Sequence, residues 1–270
     1  MTFKVLEVDL DQDFDELFAV EWTAWMNPPQ ALWELMFPVV GDGPDAEAAA
    51  IRDGAARQLL ASKGDPHDRW VKVVDTDTNK IVAGALWKFY DTNPYRAPLD
   101  DFDAVWCPPG ELKELCNQMY TQLQAWRPKT MAVAHACKCH LSCHKTHLLV
   151  QYRLIYFPVL NILFTHPEHR NKGAAGLLVE WGTQQADKLG IEAYVEGTYL
   201  GRKVYEKYGF VMMHMAEMVF LESNESPGQK WRHMVKDMQN NPTAIMWRPA
   251  GGKYVKGETV VPWEGTPRKD

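Results

Sequence analysis

Apolar residues recur along the chain with two periods, and the switches between them lay out the elements. Residues 3–10, FKVLEVDL, alternate like a half-buried strand; the acidic run at 11–15 then supplies helix-start chemistry for ELFAVEWTAW, which Pro28 and Pro29 end. Two more helical stretches follow, ALWELMF and AEAAAIRDGAARQLLASKG, the second with Asp45 near its start and Gly64 after its last turn. Residues 69–90 read as a hairpin, two alternating strands joined by a turn through 75–79. Pro, Asp and aromatic residues crowd 91–109, and PGELKELCNQMYTQLQAW then predicts a helix with Pro109 near its start.

The second half continues in the same alternation. An apolar strand ending at Thr165 leads through a basic turn rich in small residues into an amphipathic helix. Its buried stripe is expected at Ala174, Leu177, Leu178, Trp181 and Leu189, with Glu180 in solvent. A β-prone stretch at 191–198, a short helix within 200–210, a long strand at 210–220, a polar loop with a short helix at 223–241 and a last strand at 243–250 complete the pattern. No internal repeat appears, and no linker demands a second domain. The organisation expected is one domain over 2–249, an insertion at about 91–156 before the fourth strand, and a flexible polar tail at 250–270.

Composition narrows the class. With 46% hydrophobic residues in 270, a sizeable core can form. No apolar run approaches a bilayer's thickness, and the first residues are acidic where a targeting sequence would be basic, so a cytoplasmic protein without a membrane partner is expected. Net charge is −6, from 29 Lys plus Arg against 35 Asp plus Glu, with no basic stripe; nucleic acid is disfavoured, and a cationic or neutral amine fits better. The cysteines number five, three of them between 137 and 143, which points to reduced thiols rather than a disulfide framework.

That crowded run, HACKCHLSCHKTH, invites a zinc reading through Cys137, Cys139, Cys143, His144 and His147. Structural zinc sites, however, use two ligand pairs separated by a longer loop, and here everything falls in one short stretch. A surface insertion with incidental Cys and His, or a segment foreign to the mature chain, are the other readings. No metal site is assigned.

Candidate chemistry concentrates at 162–182. A helix start leaves its first backbone N–H groups unpaired and carries positive potential, so the order strand, small-residue turn, helix builds an anion site. Gly173, Ala174, Ala175 and Gly176 keep side chains clear of it, and Arg170 and Lys172 add charge beside it. Neither the G-x-x-x-x-G-K-[ST] of a P-loop nor a G-x-G-x-x-G fingerprint is present. Arg170-x-x-Gly173-x-Ala175, directly after a strand ending in Thr165-His166-Pro167, instead resembles the acetyl-CoA signature of the GNAT superfamily of N-acetyltransferases. The run VYEKYGF, 204–210, resembles that family's second signature, in the right order and at the right spacing.

The resemblance implies a mixed α/β (α+β) fold of fungal-type or uncharacterised small-molecule acetyltransferases: a central, mostly antiparallel sheet of six to seven strands, splayed between the fourth and fifth and flanked by helices. It implies acetyl-CoA as acyl-donor substrate, with backbone groups of Leu163, Phe164 and Thr165 along the pantetheine arm. The pyrophosphate would lie on Asn171, Lys172, Gly173, Ala174, Ala175 and Gly176, with Arg170 and Lys172 adding contacts and Thr198 a polar one. Tyr205 matches the tyrosine that faces the sulfur and protonates the thiolate, with Tyr208 as the nearby alternative, more plausibly packing. Glu196, late in the fifth strand, is the candidate base; His166 and His169 lie too near the phosphates, and ordered water is the other route. Trp22, Trp25 and Trp33 line the acceptor pocket or belong to the core, Trp22 leaning to core. The reaction implied is direct attack by a primary amine in a ternary complex, since neither motif carries a cysteine. A small amine is the first expectation for the acceptor, a protein amine or a degenerate CoA-binding protein the alternatives; the assembly is a monomer or homodimer.

Overall fold

A computed structural model of the chain describes residues 2–90, 94–95, 102–131, 157–222, 226–259 and 261–262. The hairpin read at 69–90 is its centre. Strand β2 (Asp68–Asp75) pairs antiparallel with β3 (Lys80–Tyr90), and β3 pairs antiparallel with β4 (Phe157–Thr165). β1 (Phe3–Glu7) lies on the outer edge of β2. β5 (Ala193–Thr198), β6 (Val211–Ala216) and β7 (Thr243–Arg248) complete a seven-stranded sheet in the order β1-β2-β3-β4-β5-β7-β6. Only β4 and β5 run parallel, and their pairing is confined to Val159 with Tyr194 and Leu160 with Val195.

Side chains of a strand alternate between faces, so each strand feeds two cores. On one face, Val71, Val73, Trp87, Leu160 and Val195 pack beneath α6 (Ala174–Leu189) and α7 (Arg202–Lys207). On the other, Trp70, Leu86, Ile162 and Phe164 meet α1 (Phe14–Trp25), α2 (Ala31–Met36) and α3 (Pro44–Gly64). The α6 face is a close fit: a Cβ on Gly182 would fall 1.9 Å from the Trp87 ring, and the Trp87 indole donates to the Leu178 carbonyl at 3.2 Å. This seat shifts the helix from its expected stripe. Ala174, Leu178, Val179, Gly182, Thr183 and Ala186 are buried, whereas Leu177 and Trp181 are half-buried and Leu189 is 38% exposed. The glycine that admits Trp87 counts as neutral in a hydrophobic pattern, and the leucine beside the left-handed C-cap Gly190 does not face the sheet.

Three further expectations change. The helix read at 109–126 forms as α4 (Glu111–Gln124), followed by α5 (Trp126–Met131), and α4 shares a third core with α2 and α8 (Gln229–Asn240) through Leu35, Leu115, Met119, Trp231 and Met234. The described part of the insertion is therefore built into the fold. The long strand at 210–220 stops at Ala216, because Gln122 and Gln118, one helical turn apart on α4, then take over the backbone pairing of Val219 and Leu221 at 2.7–3.0 Å. The segment read as a loose tail begins docked. Arg248 forms a two-pronged pair with Asp187 at 2.7 and 2.8 Å, Gly251 donates to the same carboxylate, and Val261 is buried. That pair holds the Asp187 carboxyl below its ordinary range.

The zinc reading of 137–147 lies outside the described residues. Among those described, no cluster of His, Cys, Asp and Glu is arranged to hold a metal ion, and no helix is long and apolar enough to cross a membrane.

Candidate active site

β4 carries a bulge at Asn161, where its register with β3 shifts between Leu160, opposite Trp87, and Ile162, opposite Leu86. Pairing with β5 stops at the same point. From there β4 runs on through Leu163, Phe164 and Thr165 with β3 on one side and, among the described residues, no strand pairing on the other, while β5 runs on through Glu196 to Thr198 paired to β7. The two parallel strands thus form a fork. Among the described residues the backbone groups on that side of the β4 arm have no ladder partner, so a ligand lying along the strand can pair with them.

The β4 arm feeds the anion cradle. A short 3-10 turn (Pro167–His169) starts from His166, whose Nδ1 accepts from the Glu168 amide at 3.3 Å; burial pulls this imidazole below its ordinary range. Asn171 and Gly173 then take left-handed backbone conformations, φ 60° and 95°, and Gly173 becomes the N-cap of α6. Nothing lies within 4 Å of where a Gly173 Cβ would stand, so the clearance is open space in front of the helix. The first intrahelical bond comes from Leu177 to the Gly173 carbonyl at 3.2 Å, which leaves the amides of Ala174, Ala175 and Gly176 as the unpaired donors of the first turn. Sixteen residues of aligned peptide dipoles stand behind them. Lys172 is exposed at the rim.

Two members of this group play other parts than expected. Gly176 is small for a neighbour: a Cβ there would fall 2.8 Å from the Tyr208 hydroxyl. Tyr208 therefore reaches the first turn of α6, where burial and the Glu180 charge raise its phenol, and its ring packs against the core beneath that helix. Arg170 does not point into the cradle. Its guanidinium donates to the carbonyls of Asn27 at 2.5 Å and Ala24 at 2.7 Å, at the end of α1.

On the β5 arm, Tyr205 is 5% exposed. Its ring fills the space over Gly197, where a Cβ would approach within 2.4 Å, and it lies beneath the turn to Gly201. Among the described residues its hydroxyl has no hydrogen-bond partner, and burial alone raises the phenol well above its ordinary range. It is a neutral proton donor at any physiological pH. Thr198 is spent locally, its hydroxyl accepting from the Gly201 amide at 3.3 Å.

Glu196 is the first β5 residue past the last β4 partner. Both of its oxygens accept from Arg127 of α5, the shortest contact 2.6 Å, and Oε1 also accepts from the Tyr194 hydroxyl at 3.2 Å. The side chains are 6% and 13% exposed. Burial alone would lower the guanidinium, but the Glu196 carboxylate more than offsets it, and Arg127 is held above its ordinary range. A carboxylate has about four lone-pair positions; here three donors, one of them shared between the two oxygens, hold the group in place. Arg127 also reaches Tyr95 and Asn161, so one guanidinium ties both arms of the fork together. Nothing in the sequence marked Arg127; its partner lies 69 residues on.

The ends of α1 and α2, on the face of the sheet away from α6, pack an aromatic cluster. Trp25 stacks on Trp33 with ring centroids 5.8 Å apart, and Trp22 meets Trp33 edge-on at 6.0 Å. Trp22 and Trp33 are core, and Trp25 is half-buried. On α1, Glu21 is 1% exposed, and neither of its oxygens, nor the indole nitrogens of Trp25 and Trp33, has a partner among the described residues. Burial pushes its carboxyl up to about 8.

No family model and no curated protein matches the chain. Solved structures do. Arylalkylamine N-acetyltransferase 2 of Aedes aegypti superposes with a TM-score of 0.52 at 13% identity, over 93% of this chain and 100% of that one. Polyamine N-acetyltransferase of Drosophila melanogaster gives 0.51 at 12%, over 91% and 98%. The C-terminal condensation domain of Ebony, solved with β-alanyl-dopamine, gives 0.50 at 13%, over 92% and 99%. The class defined by sheet order, fork and cradle is thereby fixed: this is a mixed α/β chain with a mostly antiparallel, forked sheet. The particular fold is the one shared by these solved structures, two of which are N-acetyltransferases.

Proposed function

We propose that the chain transfers an acetyl group from acetyl-CoA to the primary amine of a small molecule, by direct attack in a ternary complex. The observation that carries this reading is the fork: strand pairing ends at Leu160 and Val195, and the open β4 arm leads into the first turn of α6. A thin, polar, phosphate-ended ligand has the right chemistry for that groove. The amides of Ala174, Ala175 and Gly176 hold the pyrophosphate, with Asn171, Lys172 and Gly173 shaping the turn and the Tyr208 hydroxyl beside it. The backbone of Leu163, Phe164 and Thr165 takes the pantetheine amides as an added strand would, and Thr198 stands on the facing arm.

Acetyl-CoA supplies an activated thioester there. The chain must align the amine, polarise the carbonyl and deliver a proton to the departing sulfur. Tyr205 carries that proton on Oη, kept there by burial. Glu196 is assigned as a fixed anion rather than the base: with Arg127 it locks the mouth of the fork, and the amine proton leaves through water. The half-buried Trp25, backed by the core indoles Trp22 and Trp33, favours an acceptor with an aromatic or other apolar body.

Thiol release from acetyl-CoA is the test, measured against phenethylamine, spermidine, glucosamine and an amino-terminal peptide. Turnover with phenethylamine above the rest is expected. Release only with the peptide assigns a protein acceptor, and binding of acetyl-CoA without any release assigns a non-catalytic CoA-binding protein. Tyr205→Phe is expected to lower kcat by about 100-fold or more, as loss of a general acid does, with little change in acetyl-CoA affinity. Full turnover in that variant removes the acid role.

A further inference from the structure

Arg170 stands first in the motif that shapes the cradle, yet its guanidinium leaves it. Nη1 and Nη2 cross to the carbonyls of Asn27 and Ala24 at 2.5 and 2.7 Å, 143 and 146 residues away in the chain. The last carbonyls of a helix have no partner within it, and the helix dipole places negative potential there. Within α1's last turn Met26 closes onto the Trp22 carbonyl, and the Asn27 side chain onto that of Thr23 at 2.9 Å. Arg170 takes the next carbonyls with a paired, charged donor, the geometry at which a planar guanidinium outperforms an ammonium.

What this clamps together is specific. On one side are Asn171 and Gly173, whose left-handed backbones set the direction of the first-turn amides. On the other is the turn of α1 that carries Glu21, Trp22 and Trp25, and through Trp25 the stacked Trp33 of α2. A ligand seated on the cradle presses on a loop whose Arg170 side chain is anchored on backbone carbonyls at the end of α1. We propose that Arg170 is a positioning residue for the acceptor, holding the end of α1 against the cradle so that occupation of the cradle orders the aromatic cluster, and that its side chain is not a phosphate ligand. This deepens the acetyltransferase reading and rests on it for the identity of the two ligands. It implies that acetyl-CoA and the amine bind with positive coupling, a linkage that is reciprocal by thermodynamic necessity.

The experiment compares the full chain with Arg170→Lys and Arg170→Gln. It reads acetyl-CoA affinity by calorimetry, KM and kcat for phenethylamine by thiol release, and hydrogen exchange of the peptide spanning 20–28 with and without CoA. Expected are acetyl-CoA affinities within about threefold of the parent in both variants, and a phenethylamine KM raised about tenfold with kcat less affected, the scale of ordinary site-to-site coupling. CoA should slow exchange at 20–28 in the parent and not in Arg170→Gln. A KM rise without a matching loss of kcat, and the CoA-dependence of exchange, are readouts that general destabilisation would not move. Exchange needs no turnover, so a chain that shows CoA-dependent protection but acetylates no amine refutes the enzyme reading while supporting the coupling. Acetyl-CoA binding weakened tenfold or more with KM unchanged, or exchange at 20–28 indifferent to CoA, overturns the inference.

Discussion

The two halves of the site are made of different material. The cradle half, from Thr165 to Gly176, consists of backbone: left-handed turns at Asn171 and Gly173, first-turn amides, and small side chains that stand aside. The half proposed to take the acceptor, from α1, α2 and α5, consists of buried side chains: a carboxyl without a partner among the described residues, an ion pair across the fork, and stacked indoles. Backbone chemistry is the same in every sequence that adopts the conformation, so a cradle can be read from residue types alone. Side-chain networks depend on which distant residues meet, and the acceptor half is where this chain can differ from its structural neighbours.

The largest break in that comparison comes from Arg127. Replacing it with Met strands Glu196 as a buried charge with only Tyr194 left, and a loss of about 3–5 kcal/mol in unfolding free energy is expected from urea titration. The double variant Arg127→Met with Glu196→Leu should recover most of it, because an apolar pair of similar volume replaces the ion pair without an orphan. Additive losses in that cycle would mean that the pair does not act as a unit.

Glu21 gives a smaller effect with a definite sign. Its folded carboxyl titrates near 8, above the ordinary value of about 4.3, so the folded chain holds a proton that the unfolded chain releases. The stability this contributes is complete below the ordinary value and is lost as pH rises through about 8. Glu21→Gln removes the titration. Between about pH 5 and pH 8 the parent should lose up to a few kcal/mol relative to the variant, with a limiting slope of about 1.4 kcal/mol for each step of one in pH. A difference that stays constant across that range would place a charged or water-bound partner at the carboxylate.

The contrast between the halves also explains what the sequence disclosed. Gly173, Thr165 and the VYEKYGF run lie along one local stretch from β4 through α6 and β5 to α7, where spacing carries geometry, and the forked sheet was legible there. Arg170 was legible as a motif residue, but its partners were not: residue type says nothing of where a guanidinium turns, and Ala24 and Asn27 are met only through tertiary packing. Gly182 escaped for a related reason. Its value lies in the missing Cβ that admits Trp87, and a hydrophobicity pattern gives that no weight. Arg127 sits beside Pro128 in the first turn of α5, with no period or motif to single it out.

The claim at the centre is that phosphate is held by the main chain at the start of α6. Hydrogen exchange of the peptide spanning 169–178, with and without acetyl-CoA, tests it most directly. Strong slowing confined to the amides of Asn171 to Gly176 is the expected result, retained when Lys172 is changed to Ala. Unchanged exchange there at saturating acetyl-CoA would contradict it.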